Sequence, residues 1–176
     1  MKGLKNKESP YWLRKRLEAI GIKPISALVD VTNYITFDRG RPLHVFDAIK
    51  LDKNILIKKA EKNQKIIALD NKEYTFKGNE TVIVSNNEVV SIAGIIGGLS
   101  TSVNFDTNEI LLESAIFSPF STARTGRQFQ INSDARYRFE RGIDKNFTES
   151  GLELATKMIM DICGGSPSHI TTAGKN

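Results

Sequence analysis

Two side chains that can exchange protons stand in stretches where their residue types are uncommon. His44, one of two histidines in the chain, lies in GRPLHVFD, residues 40–47, and Glu113 is the single acid in the apolar run ILLESAIF, residues 110–117. An imidazole titrates near neutral pH, and a carboxylate on an apolar run must face solvent, a cation or a pocket. The plainer interpretations are a partly buried packing histidine and an ion pair between Glu113 and an arginine of residues 124–141. The residue pattern alone does not decide between these interpretations.

Two further stretches have the composition of a binding site. AGIIGG, residues 93–98, lacks the GxGxxG order and no helix is predicted directly after it, so a dinucleotide site is not indicated. Its glycines favour the close approach of a ligand or of a second backbone. NSDARYRFERGID, residues 132–144, combines three arginines, three acids and two aromatic residues. Arginine and glutamate at helical spacing equally predict a local lattice of ion pairs.

Composition limits the class of protein. The chain has 176 residues, of which 40% are hydrophobic and 26% charged, which is typical of one globular domain. A net charge of +5 is compatible with an anionic partner. The single cysteine, Cys163, excludes an internal disulfide and a cysteine-built metal site. The two histidines lie far apart in sequence and no cluster of acids has the spacing of metal ligands, so we expect no metal. The chain has no long apolar run, so we expect a cytoplasmic protein with no membrane partner.

The periodicity of the sequence changes twice along the chain. Helical spacing with capping residues predicts helices over residues 9–21, 26–40, 118–129, 133–142 and 146–165. The first helix has Ser9 as its cap and Leu13, Leu17 and Ile20 on its buried face, whereas GRPLHVFD fits no regular element. From about residue 54, short β-branched runs separated by turn residues predict strands: ILIKK, QKIIALD, KEYTF, TVIVSN, VVSIAGIIGG and NEILLESAIF.

This order predicts an α+β fold, with a central block of short β-strands flanked by N-terminal and C-terminal helices. We expect the block to be sandwich-like or barrel-like, with mostly antiparallel or mixed pairing. Residues 9–165 should form one module, between an N-terminal tail at 1–8 and a C-terminal tail at 166–176.

Five motifs, in order, carry a resemblance to a known family: KPISALVDVTNYI, RGRPLHVFD, AGIIGG, LLESAIFSP and RTGRQFQINSDARYRFERGID. Their order and spacing closely resemble the B3/B4 (editing) module of the β subunit of bacterial phenylalanyl-tRNA synthetase. The resemblance runs from about Ser9 to Gly165. It implies that the chain is one module of an aminoacyl-tRNA synthetase, an ATP-dependent ligase.

The resemblance implies that the module hydrolyses the ester of tyrosine mischarged on tRNA(Phe), while the whole enzyme ligates phenylalanine. Tyrosine differs from phenylalanine by one hydroxyl, which a pocket shaped for the smaller ring rejects only about 10²-fold. A second site that hydrogen-bonds this hydroxyl inverts the preference, because phenylalanine leaves the acceptor unpaired. By resemblance Glu113 is that acceptor, and His44 is the editing histidine near the ester. A binding module that positions tRNA or scaffolds the subunits without chemistry remains the alternative.

Further roles come from the same resemblance. Gly97 and Gly98 match the wall of the pocket, Ala135 leaves room for the ring, and Thr32 and Asn33 match positions near the substrate's amino group and carbonyl. Ser133, also expected at the substrate, departs from the threonine usual in the family. The resemblance implies no cofactor in the module, and ATP and magnesium for the whole enzyme. It implies three partners: the acceptor end of tRNA(Phe), the rest of the β subunit, and the α subunit of a heterotetramer.

Overall fold

The computed structural model describes residues 1–52 and 54–174, which form five α-helices and eight β-strands. The helices are α1 (Tyr11–Ala19), α2 (Ala27–Arg39), α3 (Pro119–Phe129), α4 (Asp134–Phe139) and α5 (Thr148–Cys163). The strands are β1 (His44–Asp47), β2 (Ile55–Lys59), β3 (Lys65–Ile67), β4 (Glu73–Thr75), β5 (Thr81–Ser85), β6 (Glu88–Ile92), β7 (Ile96–Gly97) and β8 (Ile110–Glu113). Strand pairing within the named strands is antiparallel. The predicted α+β fold is confirmed.

The helical part of the molecule is built on α2. Its residues Leu28, Val31 and Ile35 are fully buried, as their spacing predicts, and they pack in one core with Ala155 and Ile159 of α5. Gly40 ends α2 in the left-handed conformation at φ 65°, which glycine adopts without steric cost. No helix in the described ranges is long and apolar enough to cross a membrane.

Two predictions for α1 are wrong. Ser9 does not cap the helix: Pro10 occupies the N-cap position, and the Ser9 hydroxyl instead donates to the buried carboxylate of Asp30 on α2 at 2.5 Å. This bond joins the start of α1 to α2. Ile20 is 52% exposed, because α1 ends at Ala19 and Ile20, as its C-cap residue, no longer follows the buried stripe of the helix.

The predicted loose tail at residues 1–8 is also wrong. Lys2 forms backbone bridges with Glu109 and with Ser166, and Leu4 is buried in the helical core. The burial of Leu4, together with backbone hydrogen bonds from Lys2 to Ser166 and from Lys5 to Cys163, holds this segment in place. At the other end, residues 167–174 are exposed and without regular structure, while Lys175 and Asn176 lie outside the described residues. The extent of the module, residues 9–165, stays a prediction.

The strands form a four-stranded sheet, in the order β2-β5-β6-β7, and two two-stranded sheets, β1-β8 and β3-β4. β5 and β6 supply a second core through Val82, Val84 and Ile92. Asn86 and Asn87, both at positive φ, make the tight turn between these strands, as the polar NNE spacer predicts. β6 returns through the glycine-rich turn at 93–95 into β7, which brings AGIIGG to one edge of the sheet.

β1 is the element that sequence reasoning missed. GRPLHVFD was expected to be irregular, whereas its second half pairs with β8 along its whole length. Four residues are too few to display a period of two clearly, and the partner strand lies far along the chain. Tertiary pairing therefore supplies the β conformation that local pattern does not reveal.

Candidate functional site

The pairing of β1 with β8 places His44 directly opposite Glu113. Directly opposed residues of an antiparallel pair project from the same face, so the imidazole and the carboxyl emerge side by side. Phe46, two residues along β1, shares that face and meets the His44 ring edge-on, with ring centroids 4.3 Å apart. The two candidate chemical groups are thus adjacent although they come from distant parts of the sequence.

Asp47, also in GRPLHVFD, does not serve His44. Strand alternation turns it to the other face of β1, where its carboxylate accepts a hydrogen bond from the Thr107 hydroxyl at 2.8 Å. The same carboxylate accepts from the backbone N–H of Ile49 at 3.2 Å and so caps the short 3-10 helix Ala48–Lys50. Asp47 is a structural residue.

His44 and Glu113 open into a small cavity of about 60 Å³. Four of the predicted site residues line it: His44, Gly97, Glu113 and Ala135. The structure adds further lining residues, most of them apolar: Pro42, Leu43, Ser91, Gly94, Ile95, Ile96, Phe117 and Phe139. The cavity therefore offers an apolar lining with a few converging polar groups, which is the usual composition of a small-molecule site.

Gly97 touches the histidine. A Cβ atom added at Gly97 would lie 2.7 Å from His44 Nε2 and closer still to Cε1. Real Cβ atoms do not approach so near, so any side chain here displaces the imidazole or fills the cavity. Gly97 therefore lies in the wall of this cavity, beside the imidazole.

The glycine-rich turn before β7 closes the other side of the cavity. Gly94 has φ 70°, and a Cβ there would lie 2.9 Å from the Phe117 ring and 3.1 Å from the Phe139 ring. These two rings meet edge-on with centroids 5.2 Å apart. Gly94 therefore lets the turn pack on an aromatic wall, a role that the motif alone did not reveal.

Burial shifts the protonation of both polar partners. It lowers the pKa of the His44 imidazole to about 4 and raises the pKa of the Glu113 carboxyl to about 7. At neutral pH the imidazole is uncharged, and the carboxyl is about half ionised. Across residues 1–52 and 54–174 no ion pair joins Glu113 to an arginine, so the ion-pair interpretation of Glu113 is wrong.

The arginines on α4 and just after it form ion pairs with acidic residues of the same segment. Arg136 bonds Glu140 at 2.9 Å and Arg138 bonds Asp134 at 3.3 Å, both at the i,i+4 spacing. Arg141 also reaches Glu140, at 2.9 Å. The local ion-pair lattice that the spacing predicts is confirmed, and it makes these arginines mainly structural.

Three of the remaining predicted site residues lie outside the cavity lining. Thr32 and Asn33 are on α2, where the Thr32 hydroxyl donates to the carbonyl of Val29 at 2.7 Å. Gly98 follows β7, and a Cβ on it would lie 2.8 Å from the backbone oxygen of Val90. The glycine at position 98 is therefore required by the close approach of two backbones, not by the space in the cavity.

Ser133 also stands behind the cavity and not in its lining. Its hydroxyl caps α4 by accepting from the backbone N–H of Arg136 at 3.1 Å, and it donates to the carbonyl of Ile95 at 2.6 Å. The second bond ties the glycine-rich turn to the helix that carries Ala135. Ser133 thus positions two walls of the cavity.

Arg41 is a buried residue of the site that sequence reasoning missed. It is 1% exposed, and its guanidinium donates to the backbone oxygen of Ala115 at 3.1 Å and to that of Asp144. These bonds join the segment before His44 to the segment after Glu113. Arg41 stabilises the relative placement of the two strands that carry the pair.

Ser91 was missed as well. It lies on β6, is 5% exposed, and is the register partner of Gly97 on β7. The sequence offered one weak signal, a lone serine inside the apolar run VVSIAGIIGG, and single serines are common in strands. In the described part of the chain, no group of three or more His, Cys, Asp or Glu side chains has the geometry to hold a metal ion.

Comparison with known proteins adds three findings. The model of the family described as B3/4 domain matches residues 1–164. The phenylalanine–tRNA ligase beta subunits of Mesorhizobium japonicum and Rhodopseudomonas palustris are 51% and 50% identical to this chain over 174 residues, which is 99% of its length. The chain spans 22% of the length of each of these relatives.

Among solved structures, an N-terminal fragment of the phenylalanyl-tRNA synthetase beta subunit from Pyrococcus horikoshii aligns with a TM-score of 0.42. Its sequence is 18% identical, and the alignment covers 62% of this chain and 36% of that one.

Proposed function

We propose, from the premise that this chain belongs to the B3/4 domain family, that its cavity hydrolyses the ester of tyrosine mischarged on tRNA(Phe). The resemblance inferred from the five motifs is confirmed, because phenylalanine–tRNA ligase beta subunits match almost the whole chain at about half identity. The chain is accordingly a module of a phenylalanyl-tRNA synthetase beta subunit, and hence part of an aminoacyl-tRNA synthetase. The editing reaction is the part that we propose.

The opposed pair of His44 and Glu113, inside one apolar cavity, is the observation that carries the proposal. The ring of tyrosine brings a hydroxyl that donates to the Glu113 carboxylate. Phenylalanine brings no donor and leaves that half-buried acceptor unpaired, at a cost of about 1–3 kcal/mol. A carboxylate with no other partner in the described structure is suited to this choice, because the substrate alone satisfies it.

His44 acts in this proposal as an uncharged imidazole. Since burial lowers its pKa to about 4, at neutral pH it offers one N–H donor and one nitrogen acceptor. It is then a weak base, and we assign it the orientation of the ester or of a water molecule. The proton transfer that accompanies hydrolysis is then carried by the 3′-terminal ribose hydroxyl or by the positioned water.

Substrate binding must widen the cavity. Its volume is about 60 Å³, whereas a cavity of about 150 Å³ is the size that takes up benzene. The half-buried side chains of Leu43 and Ile96 at the lining are the walls that we expect to move. Gly97 and Ala135 keep the remaining walls free of bulk.

The other parts of the proposal concern the whole enzyme. We propose that Thr32 and Asn33 contact the amino group and carbonyl of the substrate once it is bound, and that the module works without a cofactor. ATP and magnesium serve the ligation of phenylalanine elsewhere in a cytoplasmic synthetase. The partners are the acceptor end of tRNA(Phe), the rest of the β subunit and the α subunit.

Deacylation by a complete phenylalanyl-tRNA synthetase that carries this chain as its B3/4 segment tests the proposal. Tyrosine and phenylalanine are each charged on tRNA(Phe), and the wild type is compared with Gly97→Trp and Glu113→Ala. We expect rapid loss of the tyrosyl ester alone, none with Gly97→Trp, and a tyrosine preference reduced about tenfold or more in Glu113→Ala. If both esters survive the wild type while phenylalanine is still ligated, the module is a scaffold or a tRNA-positioning unit.

A further inference from the structure

Ser91 is a polar group of the cavity to which neither sequence pattern nor family gave a role. Of the described residues that line the cavity, three carry polar side chains: His44, Ser91 and Glu113. Ser91 is buried on β6, and its register partner is Gly97. Directly opposed residues project from the same face of an antiparallel pair. The Ser91 hydroxyl therefore stands beside the position where Gly97 leaves space for the imidazole.

The hydrogen bonding of this hydroxyl is incomplete. Ser91 Oγ donates to the carbonyl oxygen of Ile96 at 3.2 Å, which is longer than the usual range of about 2.5–3.0 Å for such bonds. By contrast, Ser133 donates to the preceding carbonyl, that of Ile95, at 2.6 Å. Nothing in the described residues donates to the two lone pairs of Ser91 Oγ. This hydroxyl is therefore available to a molecule in the cavity.

The imidazole presents its Nε2 edge to the same wall. A Cβ on Gly97 would lie 2.7 Å from His44 Nε2, so this nitrogen faces the wall on which Ser91 stands. A cavity of about 60 Å³ has room for about two water molecules at roughly 30 Å³ each, and a buried water needs two to four polar partners. His44 Nε2 and Ser91 Oγ supply two such partners on one side.

We infer that Ser91 is a positioning residue whose hydroxyl, together with His44 Nε2, holds the water molecule that attacks the ester. This inference rests on the proposed function. The water oxygen forms a bond to the ester carbonyl carbon, and the bond from that carbon to the ribose oxygen breaks. One proton of the water passes to the departing ribose oxygen by way of the neighbouring hydroxyl of the terminal ribose, while His44 Nε2 accepts a hydrogen bond from the water and holds it in place. The other proton leaves the new carboxylic acid for solvent, so Ser91 neither gains nor loses a proton.

This arrangement separates two tasks between two residues. Glu113 on β8 distinguishes the hydroxylated ring, and Ser91 on β6 orients the nucleophile. Loss of the Ser91 hydroxyl should therefore slow hydrolysis without changing the preference for tyrosine over phenylalanine. Loss of Glu113 should change the preference.

Three substitutions at position 91 separate the hydroxyl from the volume of the side chain. Ser91→Ala removes the hydroxyl, Ser91→Cys keeps the shape with a much weaker hydrogen-bonding group, and Ser91→Thr keeps the hydroxyl with an extra methyl. In the complete synthetase we expect kcat for tyrosyl-tRNA deacylation to fall about tenfold in the Ala and Cys variants. KM should stay unchanged, and Ser91→Thr should restore most of the activity.

Ser85→Ala is the matched control. Ser85 is a buried serine of the same sheet, on β5, whose hydroxyl accepts a backbone N–H from Asp52 at 2.8 Å and which does not line the cavity. It should lower thermal stability and leave deacylation unchanged. If Ser91→Cys still deacylates tyrosyl-tRNA and Ser91→Thr does not, the volume of the side chain matters and its hydroxyl does not. That result would overturn the inference.

The remaining outcomes separate this inference from the proposed function. Unchanged kcat in all three Ser91 variants, with an active wild type, overturns the role of Ser91 alone. A selective loss of the tyrosine preference in Ser91→Ala also overturns it, because Ser91 would then read the phenol. A wild-type enzyme that cleaves neither ester overturns the proposed function and this inference together.

Discussion

Replacing His44 and Glu113 one at a time should tilt the pH dependence of stability in opposite directions. Burial raises the pKa of Glu113 from 4.5 to about 7, so the folded protein binds that proton more tightly than the unfolded chain. The carboxyl therefore costs stability progressively as pH rises from 4.5 to about 7. A displacement of this size corresponds to about 3 kcal/mol. Relative to the wild type, Glu113→Gln should gain about this much as pH rises through that window.

The histidine has the opposite sign. Burial lowers the pKa of His44 from 6.5 to about 4, so the unfolded chain binds that proton more tightly. The cost appears as pH falls below 6.5 and also reaches about 3 kcal/mol near pH 4. Relative to the wild type, His44→Gln should gain stability as pH falls. In the wild type, the cost from Glu113 rises with pH while the cost from His44 falls. These two changes cancel, so the sum of the costs stays nearly constant between pH 4.5 and 6.5.

Urea unfolding of the chain, followed by circular dichroism from pH 4 to pH 8, measures these differences. Subtracting the wild-type free energy of unfolding at each pH removes the contribution of every other titrating group. The chain has two histidines, and a His169→Gln variant assigns the His44 signal for direct titration by NMR. Difference curves that are flat, or that slope in the same direction, would refute the burial of the pair on which the site depends.

Three further predictions concern single residues. In Gly97→Ala the added Cβ should collide with the His44 imidazole and slow tyrosyl-tRNA deacylation by about tenfold or more. In Gly98→Ala the added Cβ should collide with the backbone oxygen of Val90 instead. The Gly98 variant should lose about 1–3 kcal/mol of stability with its amino-acid preference intact, as urea unfolding and deacylation together would show. Burial alone would raise the pKa of Glu80, but hydrogen bonds, including backbone N–H donors of the preceding loop, lower it. Glu80→Gln should therefore cost about 1–3 kcal/mol at pH 7, and less as pH falls below the ordinary glutamate range, because the wild-type carboxylate is then protonated.

Local pattern predicted the positions of the helices well and the start of the chain poorly. α2 was recognisable because Leu28, Val31 and Ile35 share a stripe and Gly40 follows it. The cap of α1 was not, because the hydroxyl of Ser9 bonds Asp30 on another helix. The segment at residues 1–8 was predicted to be a tail, yet its backbone bridges and Leu4 attach it to the core.

For the site, residue types pointed to the right chemistry but not to the full set of groups. His44 and Glu113 drew attention as polar residues in apolar stretches, and Gly97 and Ala135 came from family resemblance. Ser91 escaped because a lone serine in a strand is common, and it gains meaning only as the neighbour of Gly97 across two strands.

The sequence by itself determined the α+β class, the positions of the helices and most strands, and the family to which the chain belongs, because these depend on period, caps and motifs that neighbouring residues carry. The tertiary structure alone decided that β1 pairs with β8, that His44 faces Glu113, and that both lie in one small cavity. Contacts between distant segments arise from packing of the whole chain. The protonation of the pair follows from the same packing, because burial disfavours the charged form of each group.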